Sequence, residues 1–194
     1  MKIGTLKVSS GSEGVRIGEG AFGIALWLWR KSSCRQIYLT VFEKHEDTIG
    51  MAESFGFVPA GRNGRGEIVL VKDKDSLDYS DPQKLFPYLN PAFRSGHYLP
   101  IKAEYHDKMF PYSRSRNVPP ADGLLPVSNG MKKVYIATPY ERIMYRPGDI
   151  LLVYRIATEN KRYESAVTSY GTVTDLCWIK FDGREVVTFG QFSK

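Results

Sequence analysis

The run Arg16-Ile17-Gly18-Glu19-Gly20-Ala21-Phe22-Gly23 holds the densest phosphate-compatible chemistry in the chain. Glycine lets a backbone approach an anion closely, and a helix start offers unpaired N–H groups with partial positive charge. By letter, Gly18, Gly20 and Gly23 satisfy Gly-x-Gly-x-x-Gly, and Glu43 stands twenty residues after Gly23, where a ribose-binding acid would fall. Nine residues separate Val8 from Gly18, however, whereas a dinucleotide fingerprint begins almost at the strand end. The plain alternative is a strand-to-helix connection whose glycines serve close packing.

A second set of residues mixes cations with aromatics. Arg94, Lys102, Lys108, Arg114 and Arg116 alternate with Tyr98, Tyr105, Phe110 and Tyr112. Cations neutralise phosphates while aromatic rings stack bases, each stack contributing about 1–3 kcal/mol. Tyrosines that merely cover a neighbouring core with their hydroxyls in water are the competing explanation. His97, Glu104, His106 and Asp107 crowd into one stretch without a recognised ligand spacing, so no metal is assigned. Cys34 lies between Lys31 and Arg35, which favour a thiolate, but nothing pairs it with a base. Cys177 sits in an apolar run and is expected to be a buried small hydrophobe.

The elements that must position these groups fall into two blocks. In residues 1–73, Gly4 to Val8 alternates as a half-buried strand, and Gly18 to Lys31 is apolar on nearly all sides, a helix that needs cover. Ile37 to Phe42 is expected to be a strand buried on both faces, Glu46 to Phe55 a helix stopped by Gly56, and Glu67 to Lys72 a closing strand. The order β-α-β-α-β is an α/β unit. Between Pro82 and Pro126 lie eight of the eleven prolines, which favours loops and short turns. From Met131 the pattern is all-β, with strands at Lys132–Ala137, Ile150–Arg155, Ala166–Val173 and Cys177–Lys180, the spacing of a small barrel or sandwich.

Composition narrows the class. The chain has 194 residues, 42% hydrophobic and 25% charged, an ordinary globular content. It holds no apolar run long enough to span a bilayer and no export-signal pattern at Met1. Two cysteines cannot build a disulfide framework or a four-thiolate zinc site. The cytoplasm is therefore the expected location. A net charge of +6 is compatible with an anionic partner. A protein-kinase nucleotide loop at Ile17–Ala25 is excluded, because the His-Arg-Asp and Asp-Phe-Gly motifs it requires are absent.

Val15-Arg16-Ile17-Gly18-Glu19-Gly20-Ala21 resembles the pyrophosphate loop of the GNAT acetyltransferases, Arg/Gln-x-x-Gly-x-Gly/Ala, set between a strand and a helix. Around it, Ile3 to Ser9 is similar to that family's central splayed strand and Ile37 to Phe42 to the strand beside it. Lys44 to Phe57, ending in Gly56-Phe57, resembles the following helix and its Gly-Phe signature. The resemblance implies binding of acetyl-CoA or another acyl-CoA. The amides of Arg16, Ile17, Gly18, Glu19, Gly20 and Ala21 would hold the pyrophosphate, and the backbone of Leu6 and Val8 would align the pantetheine arm. An acceptor amine would then attack the thioester directly. The chain departs from the family in two ways: the first half of the domain is missing, and Ala52 stands where a tyrosine acid is common. No catalytic residue is therefore assigned.

Tyr105-His106-Asp107-Lys108-Met109-Phe110-Pro111, Lys133-Val134-Tyr135-Ile136 and Pro147-Gly148-Asp149-Ile150-Leu151-Leu152 resemble the PUA-like group that includes EVE and ASCH domains. That resemblance implies binding of RNA or modified bases, with Tyr105, Lys108, Arg114 and Arg116 as contact residues. The expected fold is α+β: a partial GNAT α/β unit in residues 1–75, a linker in 76–94 and a small PUA-like β-barrel in 95–194. Three readings stand at this point: an N-acetyltransferase module coupled to RNA recognition, a non-catalytic RNA- or modified-base-binding protein with a degenerate acetyltransferase scaffold, and a fragment of a longer product. An exposed edge beside Ile3 to Val8 favours a second chain, either a homodimer partner or a complementing subunit.

Overall fold

The computed structural model describes residues 1–4, 16–110, 130–136, 145–157 and 164–192. Helix α1 spans Ile17–Lys31 and turns Phe22, Leu26 and Trp29 inward at helical spacing, with Arg30 and Lys31 at its negative end. The expected all-round cover is not found. Ile17, Ile24 and Leu28 lie on the surface, because the core below α1 is one sheet face wide.

Strand β1 (Gln36–Val41) buries Ile37, Leu39 and Val41 in alternation, so one face is covered rather than the two expected. Helix α2 (Glu46–Ser54) ends as the sequence demands. Gly56 takes φ +80°, its N–H donates to the Glu53 carbonyl (2.9 Å), and the Phe57 N–H donates to the Ala52 carbonyl (3.1 Å). This is a Schellman closure, and any Cβ at Gly56 would stand 2.7 Å from the Lys84 carbonyl oxygen.

A strand absent from the sequence reading follows: β2 (Val58–Arg62) forms an antiparallel hairpin with β3 (Ile68–Asp73). Every residue of β2 is exposed, so it carries no apolar signal and is a strand only through pairing with β3. The sheet order is β1-β3-β2, all antiparallel, and the isolated bridge of Lys2 with Tyr38 sets the chain start parallel to β1. Two parallel segments joined by a helix make a crossover unit. Ile3, α1, α2 and the sheet close one core around Phe22, Phe55 and Phe57, with Phe22 stacked 5.8 Å from Phe55.

The proline-rich stretch is more ordered than its composition suggests. Short helix α3 (Pro82–Leu85) is capped by the Asp81 carboxylate, and Leu77, Phe86 and Tyr88 pack on the first core, so these residues of the expected 76–94 linker belong to its wall. Lys72, 3% exposed, donates from Nζ to the carbonyls of Phe55 (2.7 Å), Lys84 (2.6 Å) and Phe86 (2.5 Å). It ties the ends of α2 and α3 to β3. Burial pulls this ammonium down to about 7, and three carbonyl acceptors oppose that pull, since a neutral amine has only two hydrogens to donate.

Strand β4 (Gly96–Lys102) and helix α4 (Ala103–Met109) also fall where loops were expected. Strand β4 lies at the edge of a second sheet, where Pro100 is tolerated, parallel to β5 (Ile150–Ile156), which pairs antiparallel with β6 (Ala166–Thr172). The anticipated turn before β5 is present. Gly148 takes φ +91° after Pro147, and the Asp149 N–H donates to the Arg146 carbonyl (3.0 Å). Two-residue strands β7 (Lys180–Phe181) and β8 (Arg184–Glu185) and helix α5 (Phe189–Phe192) end the described chain.

The whole is mixed α+β. Among the described residues the second half is an open three-stranded sheet and a small hairpin, so the closed barrel expected there is not found. Residues 132–136 lie outside any strand, and Cys177 is exposed, against expectation. No helix among the described residues is long and apolar enough to cross a membrane.

Candidate functional site

The site begins at the start of α1, where Arg16 adopts a left-handed conformation (φ 53°, ψ 27°) and supplies no side-chain cap. The first internal bond of the helix runs from the Gly20 N–H to the Arg16 carbonyl at 3.1 Å. The amides of Ile17, Gly18 and Glu19 precede it and are the groups that a helix leaves for an outside acceptor. Of the six expected anion-holding residues, Arg16 to Glu19 therefore frame the helix start, whereas Gly20 and Ala21 lie inside it. Gly18, Gly20 and Gly23 all sit within α1 rather than in a loop ahead of it, which removes the dinucleotide reading. Glu43, its ribose acid, is instead exposed and ion-paired with Arg62 at 2.9 Å. Leu6 and Val8 lie outside the described residues.

A cavity of about 310 Å³ opens beside this helix start, lined by Arg16, Glu19, Met51, Ser54, Phe55, Gln83 and Lys132. The Gln83 side-chain amide donates to Ser54 Oγ (3.1 Å), which donates to the Met51 carbonyl (2.7 Å), fixing the polar side of the wall. Gly18 faces Met51, and a Cβ there would sit 3.5 Å from Met51 Cε, an ordinary contact.

Glu19 accepts from the Met131 N–H at 2.7 Å and lies 3.7 Å from Arg16 Nε. Gly130 lies against Arg16, and a Cβ on it would be 2.7 Å from Nη1. Lys133 is partly buried, and burial draws its ammonium down to about 8; Glu19 opposes that shift and Arg16 reinforces it. The sequence reading missed Lys132, Lys133, Ser54 and Gln83 here, since only the fold brings them to Arg16. Ala52, at the position of the family's tyrosine, is fully buried in the first core and offers no group to this cavity. A second hollow of about 360 Å³ at the start of β1, lined by Met1, Cys34, Arg35, Gln36 and Tyr38, contains none of the expected site residues. The Cys34 thiol there is exposed and lowered, first by its hydrogen bond with Ser32.

The second candidate region centres on α4. Tyr105 (53% exposed) and Lys108 are separated by one helical turn on the outer side of α4, and Tyr98 (63% exposed) and Lys102 lie on the open side of β4 that leads into it. Arg114 and Arg116 lie outside the described residues.

Beneath that surface is a polar network. His106, fully buried, sets Nδ1 2.9 Å from Asp107 Oδ1 and Nε2 2.6 Å from Thr168 Oγ1. Arg155 engages the same carboxylate with Nε (2.9 Å) and Nη2 (3.0 Å). Burial alone raises the Asp107 carboxyl, but the hydrogen bonds of Arg155 and His106 outweigh it and hold the group at about 2. The ionised Asp107 accepts from Nδ1–H, and Nε2 shares a hydrogen bond with the Thr168 hydroxyl, which also lies 3.5 Å from the Val153 carbonyl. The register shift of β6 against Val153 and Tyr154 falls at Thr168 and aims it at the ring. The order threonine–histidine–aspartate has the form of a nucleophile relay, yet His106 is enclosed and neither cavity above reaches it. The network is a clamp joining α4, β5 and β6.

His97 lies 3.3 Å from the buried Asp149, and no cluster able to hold a metal occurs among the described residues. No family model, curated protein or solved structure matches the chain.

Proposed function

We propose that this chain is a GNAT-like acyl-CoA-binding module joined to a PUA-like unit that contacts RNA. The observation that carries the first half is the helix start at Arg16–Glu19 opening on a cavity, in a crossover whose outer segments run parallel. The amides ahead of the first helical bond, the positive end of a 15-residue helix and the Arg16 guanidinium suit a diphosphate, the anionic part of coenzyme A. The thioester arm would run toward the segment that holds Leu6 and Val8. The groups assigned here bind and orient; chemistry on the thioester requires an acceptor amine and a proton acceptor from elsewhere.

Calorimetric titration with acetyl-CoA tests this reading. Gly18→Asp is the informative variant, because its new Cβ meets only ordinary contacts and a carboxylate in the first helical turn favours the helix. The expected result is an unchanged or raised melting temperature together with loss of acetyl-CoA binding. Equal binding by wild type and variant would overturn the assignment, as would no binding by the wild type.

A non-catalytic RNA-binding protein is the second reading, favoured by the exposed Tyr98 and Tyr105 beside Lys102 and Lys108. Fluorescence anisotropy with single-stranded RNA tests it. Tyr105→Ala is expected to weaken binding by about 1–3 kcal/mol if the ring stacks a base.

A further inference from the structure

We infer that the coenzyme site proposed above is built from both halves of the chain, with Lys132 as an anion-binding group supplied by the C-terminal half. This inference rests on the acyl-CoA reading and adds a residue to it.

The segment 130–133 meets α1 through one hydrogen bond and two close approaches. Met131 donates its N–H to Glu19, 112 residues away in sequence. Gly130 leaves the space that the Arg16 guanidinium fills, and Gly23 leaves space for Met131 Sδ, which a Cβ would approach to 3.1 Å. Held in this way, Lys132 lines the same cavity as Arg16. It is exposed, and no described acid pairs with it. Among the described residues Glu19 is the one carboxylate that lines the cavity, and it already accepts from Met131 and faces Arg16. The lining therefore keeps an excess of positive charge. A ligand carrying several negative charges fits this hollow, and a diphosphate bridging Arg16, the α1 amides and Lys132 satisfies all three at once. Lys133, half-buried behind them, adds to the same field. Binding such an anion would couple the second half to α1, since the ligand touches both.

The test is calorimetric titration of the full chain with coenzyme A, using a charge series at one exposed position: Lys132→Arg, Lys132→Ala and Lys132→Glu. The expected order of affinity is wild type and Lys132→Arg alike, Lys132→Ala weaker by roughly tenfold, and Lys132→Glu weaker again. The melting temperatures of the free proteins should agree across the series. If the wild type binds and all four affinities coincide, Lys132 is not a ligand group and the acyl-CoA reading survives without it. If affinity falls in Lys132→Arg as far as in Lys132→Ala, shape rather than charge is responsible, and the inference fails. No binding by the wild type would overturn both the inference and the reading beneath it.

Discussion

The two sheets of this protein are held in different ways. The β1-β3-β2 sheet rests on a single apolar cluster in which Phe22, Leu26, Trp29, Ile37, Phe55 and Leu70 are fully enclosed. The β4-β5-β6 sheet buries smaller aliphatic groups, Ile101, Ile150 and Val153, and beside them the polar His106 and Asp149. Its α4 is fastened by the hydrogen bond between His106 and Thr168 and by those that Arg155 donates to Asp107. Apolar packing is non-directional and tolerates small shifts, whereas a buried polar network demands every partner in place. The apolar cluster of the first region, Lys72 and its three carbonyls apart, can therefore be loosened by degrees, whereas the network of the second fails when one member is removed.

The largest expected effects separate these two modes. Phe22→Ala leaves a cavity in the first core and should lower stability by about 3–5 kcal/mol. Asp107→Ala leaves Arg155 and His106 without their carboxylate and should cost a similar ~3–5 kcal/mol. Hydrogen exchange tells them apart. Phe22→Ala should lose protection first in α1, β1 and β3, and Asp107→Ala first in α4, β5 and β6. Equal loss everywhere in both variants would mean that the regions unfold as one unit and that the contrast drawn here is wrong.

A smaller effect follows from the acid titration of the same network. The Asp107 carboxyl is held at about 2, below its ordinary value of 3.8. A group depressed in the folded state contributes stability above the unfolded value and loses it as pH falls toward the folded one. The shift corresponds to about 2 kcal/mol, present at neutral pH and withdrawn between roughly pH 5 and 2. Denaturant titrations across that window should show the loss in wild type, and a flatter profile in Asp107→Asn, which cannot ionise. An identical slope in both proteins would assign the acid sensitivity to other carboxylates.

The same contrast explains what could be read from the sequence. Helix α1, strand β1, helix α2 and strand β3 announce themselves through apolar periodicity, and β5 and β6 through β-branched runs, because in each the pattern that folds the element is also the one that buries it. Strand β2 carries Pro59 and Gly61 and exposes every residue, so only its partner β3 makes it a strand. Strand β4 is masked by Pro100, which an edge position permits, and α4 by the prolines on either side of it. At the candidate site, Arg16 to Glu19 are marked by glycine spacing. Lys132 and Gln83 have no local signal, since their place in the cavity is set by tertiary contacts. The His106 network was equally hidden: the crowding of His106 and Asp107 is visible in the sequence, but Thr168 and Arg155 arrive from a different sheet register.

The smallest expected effect lies where the regions touch. Tyr170 on β6 reaches across to the first region, donating its hydroxyl to the Pro87 carbonyl at 3.0 Å. Its ring lies 6.1 Å from that of Trp27, and Arg30 Nη1 stands 3.4 Å from the hydroxyl. Burial raises the phenol, with Arg30 opposing, so the hydroxyl stays protonated and donates across the neutral range. Tyr170→Phe keeps the ring and removes one half-buried hydrogen bond, which should cost about 1 kcal/mol. The informative readout is cooperativity rather than midpoint. If this bond helps the sheets to melt together, Tyr170→Phe should broaden the calorimetric transition and lower the van't Hoff enthalpy relative to the calorimetric one. A unchanged ratio with a lower midpoint would place the coupling in the Gly130–Met131 contact with α1, and would make the cavity at Arg16 the principal joint between the two halves.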